Sequence, residues 1–221
     1  MDKQAATIWT IVIIVLTLIV VGIVALVTAS KQPTNGVLSL PVQVDDWTIG
    51  GANATTTISL VEYSDFQCPA CAFYADWTRK LILDIPELRL TYRHFPLTKI
   101  HQNADLSARA AEAAGKQGRF WEMSELLFTN RDKWADDNKA EVIFSDYAQQ
   151  LQLDPAKFTE DLNSQITKNK VSQDLESGLR SGVTGTPSFY LNGAFINNPK
   201  TYEDFVRIIE DALAASASPA V

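Results

Sequence analysis

Between Lys3 and Lys31 the chain carries no charged residue, and inside that gap Ile8 to Val27 is apolar apart from Thr10, Thr17 and the small Gly22. About 20 residues at roughly 1.5 Å each rise about 30 Å, the thickness of a bilayer's hydrocarbon core. Trp9 stands near one end, where an amphipathic ring favours the interface. A helix in a soluble core shows polar relief on one face, and this segment shows almost none. An uncleaved anchor and a cleaved leader remain, the latter with Val27-Thr28-Ala29 as a small-residue cleavage site. The apolar run exceeds the roughly 7–15 residues of a leader, and the segment before it carries only Lys3, offset by Asp2; both features favour the anchor. The sequence therefore predicts one N-terminal transmembrane helix within residues 1–29, entering the membrane through residues 8–27. Lys31 balances Lys3 and the amino terminus, so charge alone does not orient it.

The rest of the chain is a different material. Setting residues 1–31 aside removes two lysines and one aspartate, leaving 17 basic and 25 acidic side chains and a net charge of −8. Such a surface is not drawn to phosphate backbones, which argues against nucleic-acid binding. No basic run is longer than Arg79-Lys80. A hydrophobic fraction of 46% excludes disorder as the main state, and two cysteines are too few for a disulfide scaffold.

Pro33, Asn35-Gly36 and Pro41 punctuate residues 30–46, which read as a linker. One domain is expected over 47–215, followed by a small-residue tail at 216–221. Thr56 to Tyr63 is rich in β-branched residues and reads as a strand. After Asp65 the period changes: Ala70, Tyr74, Trp77, Leu81 and Ile85 recur at helical spacing until Pro86. Leu88 to Phe95 is a second strand. A helical block fills about 98–180, with one sharp start at Asp154-Pro155, an N-cap followed by proline at the first helical position. Ser188–Leu191 and Ala194–Asn197 flank Asn192-Gly193, a two-residue hairpin signal. A last helix starts at Thr201 with Asp204 three residues on. Strand, helix, strand, helical block, hairpin and helix together fit an α/β fold with one mixed sheet and a helical insertion.

Cys68-Pro69-Ala70-Cys71 lies where the first strand gives way to the helix. Two intervening residues in a first helical turn bring the sulfurs within bonding range. The first sulfur meets unpaired N–H groups and the positive end of the helix dipole, which lowers the Cys68 thiol pKa. Cys71, one turn deeper, is the protected thiol. A structural disulfide across so short a loop contributes only about 2 kcal/mol. Zinc needs four ligands, and the other soft or imidazole donors are His94 and His101, for which helix-end or surface packing is the simpler reading. Redox chemistry is the reading that also explains the strand-to-helix placement.

Leu60 to Cys71 resembles the active-site segment of DsbA-like thiol–disulfide oxidoreductases in the thioredoxin superfamily. Gly182-Val183-Thr184-Gly185-Thr186-Pro187-Ser188-Phe189 resembles the loop that carries this superfamily's cis-proline. Trp47-Thr48-Ile49-Gly50 and Phe120-Trp121-Glu122-Met123 are similar to stretches in its anchored or secreted members. The resemblance implies a thioredoxin fold, a mixed central sheet flanked by helices with a helical insertion. It implies that Cys68 attacks, that Cys71 resolves the mixed disulfide, and that Pro187 is the cis-proline, leaving the Thr186 backbone for a substrate peptide. Glu62, six residues before Cys68, matches the superfamily's buried acid, which relays the Cys71 proton; an exposed glutamate on an alternating strand is the alternative. Position 70 is alanine where strongly oxidising DsbA proteins have histidine, which implies a less oxidising disulfide. Phe66, Phe73, Tyr74 and Trp77 either frame a peptide surface or pack the core.

The expected partners are cysteine-containing protein substrates and a membrane redox partner, either a quinone-linked oxidase or an electron donor, with no metal or diffusible cofactor. The expected place is the cell membrane of a bacterium, single-pass, with the domain on the extracytoplasmic side, where disulfide chemistry operates. A reductase or isomerase of the same fold, or a non-catalytic anchored binding module whose CxxC is structural, are the alternatives.

Overall fold

The computed structural model describes Trp9 and residues 12–20, 36–51 and 58–217. The chain divides into two units, Met1–Pro33 and Thr34–Val221. In the first, Trp9 and residues 12–20 are helical, and Thr17 Oγ1 donates back to the Ile13 and Ile14 carbonyls. The other residues of the expected anchor at 8–27 lie outside the described residues. Among the described residues no helix is long and apolar enough to cross a membrane.

The second unit is built on five strands: β1 (Trp47–Gly50), β2 (Ile58–Ser64), β3 (Leu88–His94), β4 (Ser188–Leu191) and β5 (Ala194–Ile196). Their order is β1-β3-β2-β4-β5, with β2 and β3 parallel and the other neighbours antiparallel. Helix α1 (Pro69–Asp84) connects the parallel pair. The insertion comprises α2 (Ala104–Gly115), α3 (Phe120–Thr129), α4 (Arg131–Trp134), α5 (Ala140–Gln150), α6 (Pro155–Asn163) and α7 (Gln165–Ser181), and α8 (Tyr202–Ala217) closes the chain. This is the mixed sheet, flanked by helices, that the pattern predicts. The edge strand β1 was not expected as a strand, because four residues are too few to show a period.

Local chemistry explains the boundaries. Asp154 accepts the Lys157 N–H at 2.9 Å to cap α6. Asn192 and Gly193 both take positive φ, +48° and +84°, as a two-residue hairpin between right-twisted strands requires. Thr201 Oγ1 accepts the Asp204 N–H at the start of α8.

Both faces of β2 are covered. Ile58 and Leu60 meet Leu81 of α1, Phe189, Phe205 and Ile209 in one cluster, while Val61 and Tyr63 meet Phe95, Val183 and Tyr190 in another. A third cluster fills the insertion around Trp134, Phe144 and Phe158. A strand buried on both faces has no outward side for a polar residue, and this decides the position of Glu62.

The described part of the expected linker, 36–46, is not a free tether. Leu38 N–H donates to Gly193 O at 2.8 Å, and Ser39 Oγ donates to Ser177 O at 2.8 Å. The fully buried Arg93 guanidinium donates to the carbonyls of Leu40 and Pro41 and to Asp46 Oδ2 at 2.7 Å. Backbone carbonyls without a period of their own are thus satisfied by a side chain of β3, a pairing that turn-forming residues conceal. Residues 30–35 of that segment and the tail beyond Ala217 lie outside the described residues.

Candidate active site

Helix α1 begins at the end of β2, and Cys68 is its N-cap with extended backbone (φ −73°, ψ 124°), followed by Pro69 in the first turn. The turn before it is fixed by the Cys68 N–H donating to Asp65 O at 3.0 Å, and α1 proper starts with Ala72 N–H to Cys68 O at 3.1 Å. Every fourth or third residue from Cys71 (Ala75, Thr78, Leu81) is buried, so Cys71 faces the sheet while Pro69 and Ala70 face solvent. Both cysteines are free thiols; Cys68 is 7% exposed and Cys71 is fully buried.

The two sulfurs are pushed in opposite directions. A hydrogen bond from the Cys71 thiol, helped by the Cys71 and Ala70 backbone N–H groups and the Thr186 hydroxyl, outweighs burial and lowers Cys68 to about 5. Burial, then the neighbouring Cys68 and Glu62 charges, push Cys71 upward. The helix N-terminus therefore stabilises a thiolate without a histidine at position 70. Across from it, the Thr186 carbonyl lies 3.5 Å from Cys68 Sγ, and the Thr186–Pro187 peptide bond is cis. Ser188 Oγ donating to Gly185 O at 2.8 Å, and Asn198 Nδ2 donating to Pro187 O at 2.9 Å, hold this loop.

Glu62 is 2% exposed. It alternates with Ile58 and Leu60 on the β2 face that meets α1, so it lies under the CxxC pair. Burial raises its carboxyl to about 7, with the Ser64 hydroxyl opposing. Tyr92, its register partner on β3, is buried too, and burial followed by the Glu62 charge pushes its phenol upward. A cavity of about 200 Å³ reaches Glu62 and Tyr92 between Ile82, Leu90, Trp121 and Phe128.

Cys68, Cys71, Glu62, Thr186 and Pro187 thus converge at the C-terminal end of β2. The histidines do not join them. His94 is buried, not at the surface, with Nε2 2.9 Å from Glu112 Oε1 and its N–H donating to Asp174. His101 Nδ1 is 2.7 Å from Asp65 Oδ2. His94, Glu112 and Asp174 are close enough to share an ion, but the Lys170 ammonium, 2.8 Å from Asp174 Oδ1 and 3.1 Å from Asp46 Oδ1, already supplies the positive charge there. Of the aromatics, Phe66 belongs to the core, whereas Phe73 is exposed and touches Tyr74 and Trp77 on α1.

Sequence reasoning missed the residues around the turn before Cys68. Gln67 is 3% exposed, and its partners Asn103, Arg131 and Ala135 come from the insertion and its approach. A glutamine beside a cysteine carries no pattern signal; only its burial marks it.

The thioredoxin-like oxidoreductase of Silicibacter pomeroyi is 24% identical with a TM-score of 0.65, covering 80% of this chain and 95% of that one. Oxidised BdbD of Bacillus subtilis is 22% identical with a TM-score of 0.69, covering 82% of this chain and all of that one. The Na(+)/H(+) antiporter NhaA 3 of Salinispora tropica is 36% identical over 186 residues, which are 83% of this chain and 28% of that protein. The chain thus spans little more than a quarter of the curated relative it matches. The model of the thioredoxin family matches residues 43–211, which take in the whole sheet, the CxxC turn and the Thr186–Pro187 loop, and the chain belongs to that family.

Proposed function

We propose that this protein is a thiol–disulfide oxidoreductase, tethered to a membrane through residues 8–27, that exchanges disulfides with extracytoplasmic cysteine-containing proteins. The observation that carries it is the split between a lowered Cys68 and a raised Cys71 at one helix N-terminus, facing Thr186. In the oxidising direction a substrate thiolate attacks Cys68 Sγ, the Cys68–Cys71 bond breaks, and the electron pair leaves on Cys71. Glu62, which titrates near neutrality, passes the proton that Cys71 takes up. A second substrate thiolate then attacks the substrate sulfur of the mixed disulfide and expels Cys68, a good leaving group because its pKa is low. The substrate loses two electrons and the pair gains them, so turnover needs a redox partner in the membrane, a quinone-linked oxidase here or an electron donor in the reducing direction.

The apolar run from Ile8 to Val27 supports the tether, with Ile13, Leu16 and Leu18 each more than half exposed. The matched relative is named as an antiporter, a protein that works across a membrane, which agrees with a domain held at a membrane surface. Alanine at position 70 supports a potential between those of thioredoxin and DsbA, about −270 and −120 mV.

The test uses the full-length chain in detergent. Wild type should oxidise a reduced dithiol peptide or reduce insulin, and Cys68→Ala should do neither; equal behaviour of the two overturns the catalytic reading. Equilibration with glutathione buffers gives the potential, and a value at the DsbA end overturns the intermediate assignment. The protein should stay with carbonate-washed membranes, and its release would remove the tether.

A further inference from the structure

Gln67 stands between Asp65 and the nucleophile, and all four of its polar groups are engaged. Its N–H donates to Asp65 Oδ1 at 2.8 Å. Its carbonyl accepts from Arg131 Nε at 2.5 Å. Its side-chain Oε1 accepts the Asn103 N–H at 2.7 Å, and Nε2 donates to Ala135 O at 2.6 Å. Three of these four anchors belong to the segment between β3 and β4, 36 to 68 residues further along the chain. Asn103 extends the clamp, its Nδ2 donating to the carbonyls of Trp134, Ala135 and Asp137.

Asp65 closes the other side. Its Oδ2 accepts the Leu97 N–H at 3.0 Å and meets His101 Nδ1 at 2.7 Å, while its carbonyl accepts the Cys68 N–H. A turn with no regular pairing of its own is thereby fixed from both sides by buried hydrogen bonds. Each is expensive to leave unmade, since a lost partner strands a desolvated group.

We propose that Gln67 is a positioning residue: with Asn103 and Arg131 it lets the helical insertion set how Cys68 is presented to the N–H groups at the start of α1. The N–H groups of Ala70 and Cys71 stabilise the Cys68 thiolate only while Cys68 keeps its extended N-cap backbone. That backbone follows directly from Gln67. If the clamp loosens, the N-cap torsions spread and the donors lose alignment, and the thiolate with them. The Arg131 guanidinium adds a positive charge on the Gln67 carbonyl, one peptide from the nucleophile. Charged and titratable groups bordering this turn are Asp65 within it, His101 before α2, Arg131 and Asp132 on α4, and Cys71 and Glu62 beneath. The inference rests on Cys68 being the nucleophile.

The test compares full-length wild type with Gln67→Leu, Gln67→Glu and Arg131→Gln. The thiolate is titrated by its absorbance at 240 nm and by the pH dependence of alkylation, alongside the potential and thermal melting. Gln67→Leu removes both side-chain bonds and should cut Cys68 alkylation about tenfold near pH 4, below the Cys68 value of about 5, where one lost hydrogen bond on the charged state reads in full. Gln67→Glu keeps the acceptor for Asn103 and should fall between Leu and wild type. Arg131→Gln, at a partly exposed position, should reduce alkylation about threefold. Lowered melting temperatures with wild-type titration and potential in all three overturn the clamp alone. A wild type that exchanges no disulfides overturns the proposed function and the clamp together.

Discussion

Replacing Glu62 by glutamine should stabilise the protein while slowing it, and the size of the gain follows from burial. Glu62 is 2% exposed, and its carboxyl is raised from the ordinary 4.5 to about 7. The folded state therefore disfavours the ionised form. Below pH 4.5 the carboxyl is protonated folded and unfolded, and it costs nothing. Between 4.5 and 7 the unfolded chain ionises while the folded one does not, so the cost grows by about 1.4 kcal/mol per pH unit. Near pH 7 it reaches about 3 kcal/mol, and above that it levels off. Because the group is buried, no solvent screening reduces the figure. Glutamine has nearly the same shape without the titration, so Glu62→Gln should exceed wild type by about 3 kcal/mol at pH 7 and converge with it near pH 4. Urea melts at several pH values measure this. In the same variant the step that protonates or deprotonates Cys71 should slow and lose its dependence on pH near 7. Parallel stability curves for the two proteins would refute the buried-acid argument, whatever the kinetics show.

Three further outcomes rest on other parts of the structure. Asp46→Asn leaves the buried Arg93 guanidinium without its carboxylate, and chemical denaturation should show a loss of about 3–5 kcal/mol; a loss under 1 kcal/mol would mean that water reaches the pair. Gly115→Ala places a Cβ against the Trp47 ring, which is stacked on Phe120, so it should cost about 1–3 kcal/mol, and much less in a Trp47→Ala background. Ala70→His puts an imidazole on an exposed position beside the lowered Cys68 thiol and should make the couple more oxidising by roughly 30 mV, about 1.4 kcal/mol; an unchanged potential would show that the N–H groups already saturate the thiolate.

What the sequence revealed was local. Pro155 after Asp154, Asn192-Gly193 between apolar runs, and Cys68-Pro69 at a change of period each specify a backbone geometry within four residues, and each has that geometry in the structure. Residues 30–46 misled for the same reason. Pro33, Asn35-Gly36 and Pro41 mark them as a linker, but the carbonyls of Leu40 and Pro41 are anchored by Arg93, some fifty residues away. Glu62 was ambiguous because alternation assigns a polar residue to the outer face, and β2 has no outer face.

The residues that sequence patterns could not place are the ones that break local rules. A carboxylate under a sheet-facing cysteine, an arginine wholly out of water, and a glutamine with every polar group tied down are each unfavourable or uninformative by propensity and burial statistics. Arg93 is explained by structure, since its partners are backbone carbonyls and Asp46 and it holds the chain's entry to the domain. Glu62 and Gln67 have no such architectural return: one weakens the fold at neutral pH, and the other consumes bonds from the insertion to fix a single turn. Both adjoin the same two sulfurs, one through Cys71 and one through Cys68. That convergence supports the proposed redox role over a pair that merely staples a helix start, because a staple gains nothing from a destabilising acid beneath it or from a rigid approach before it.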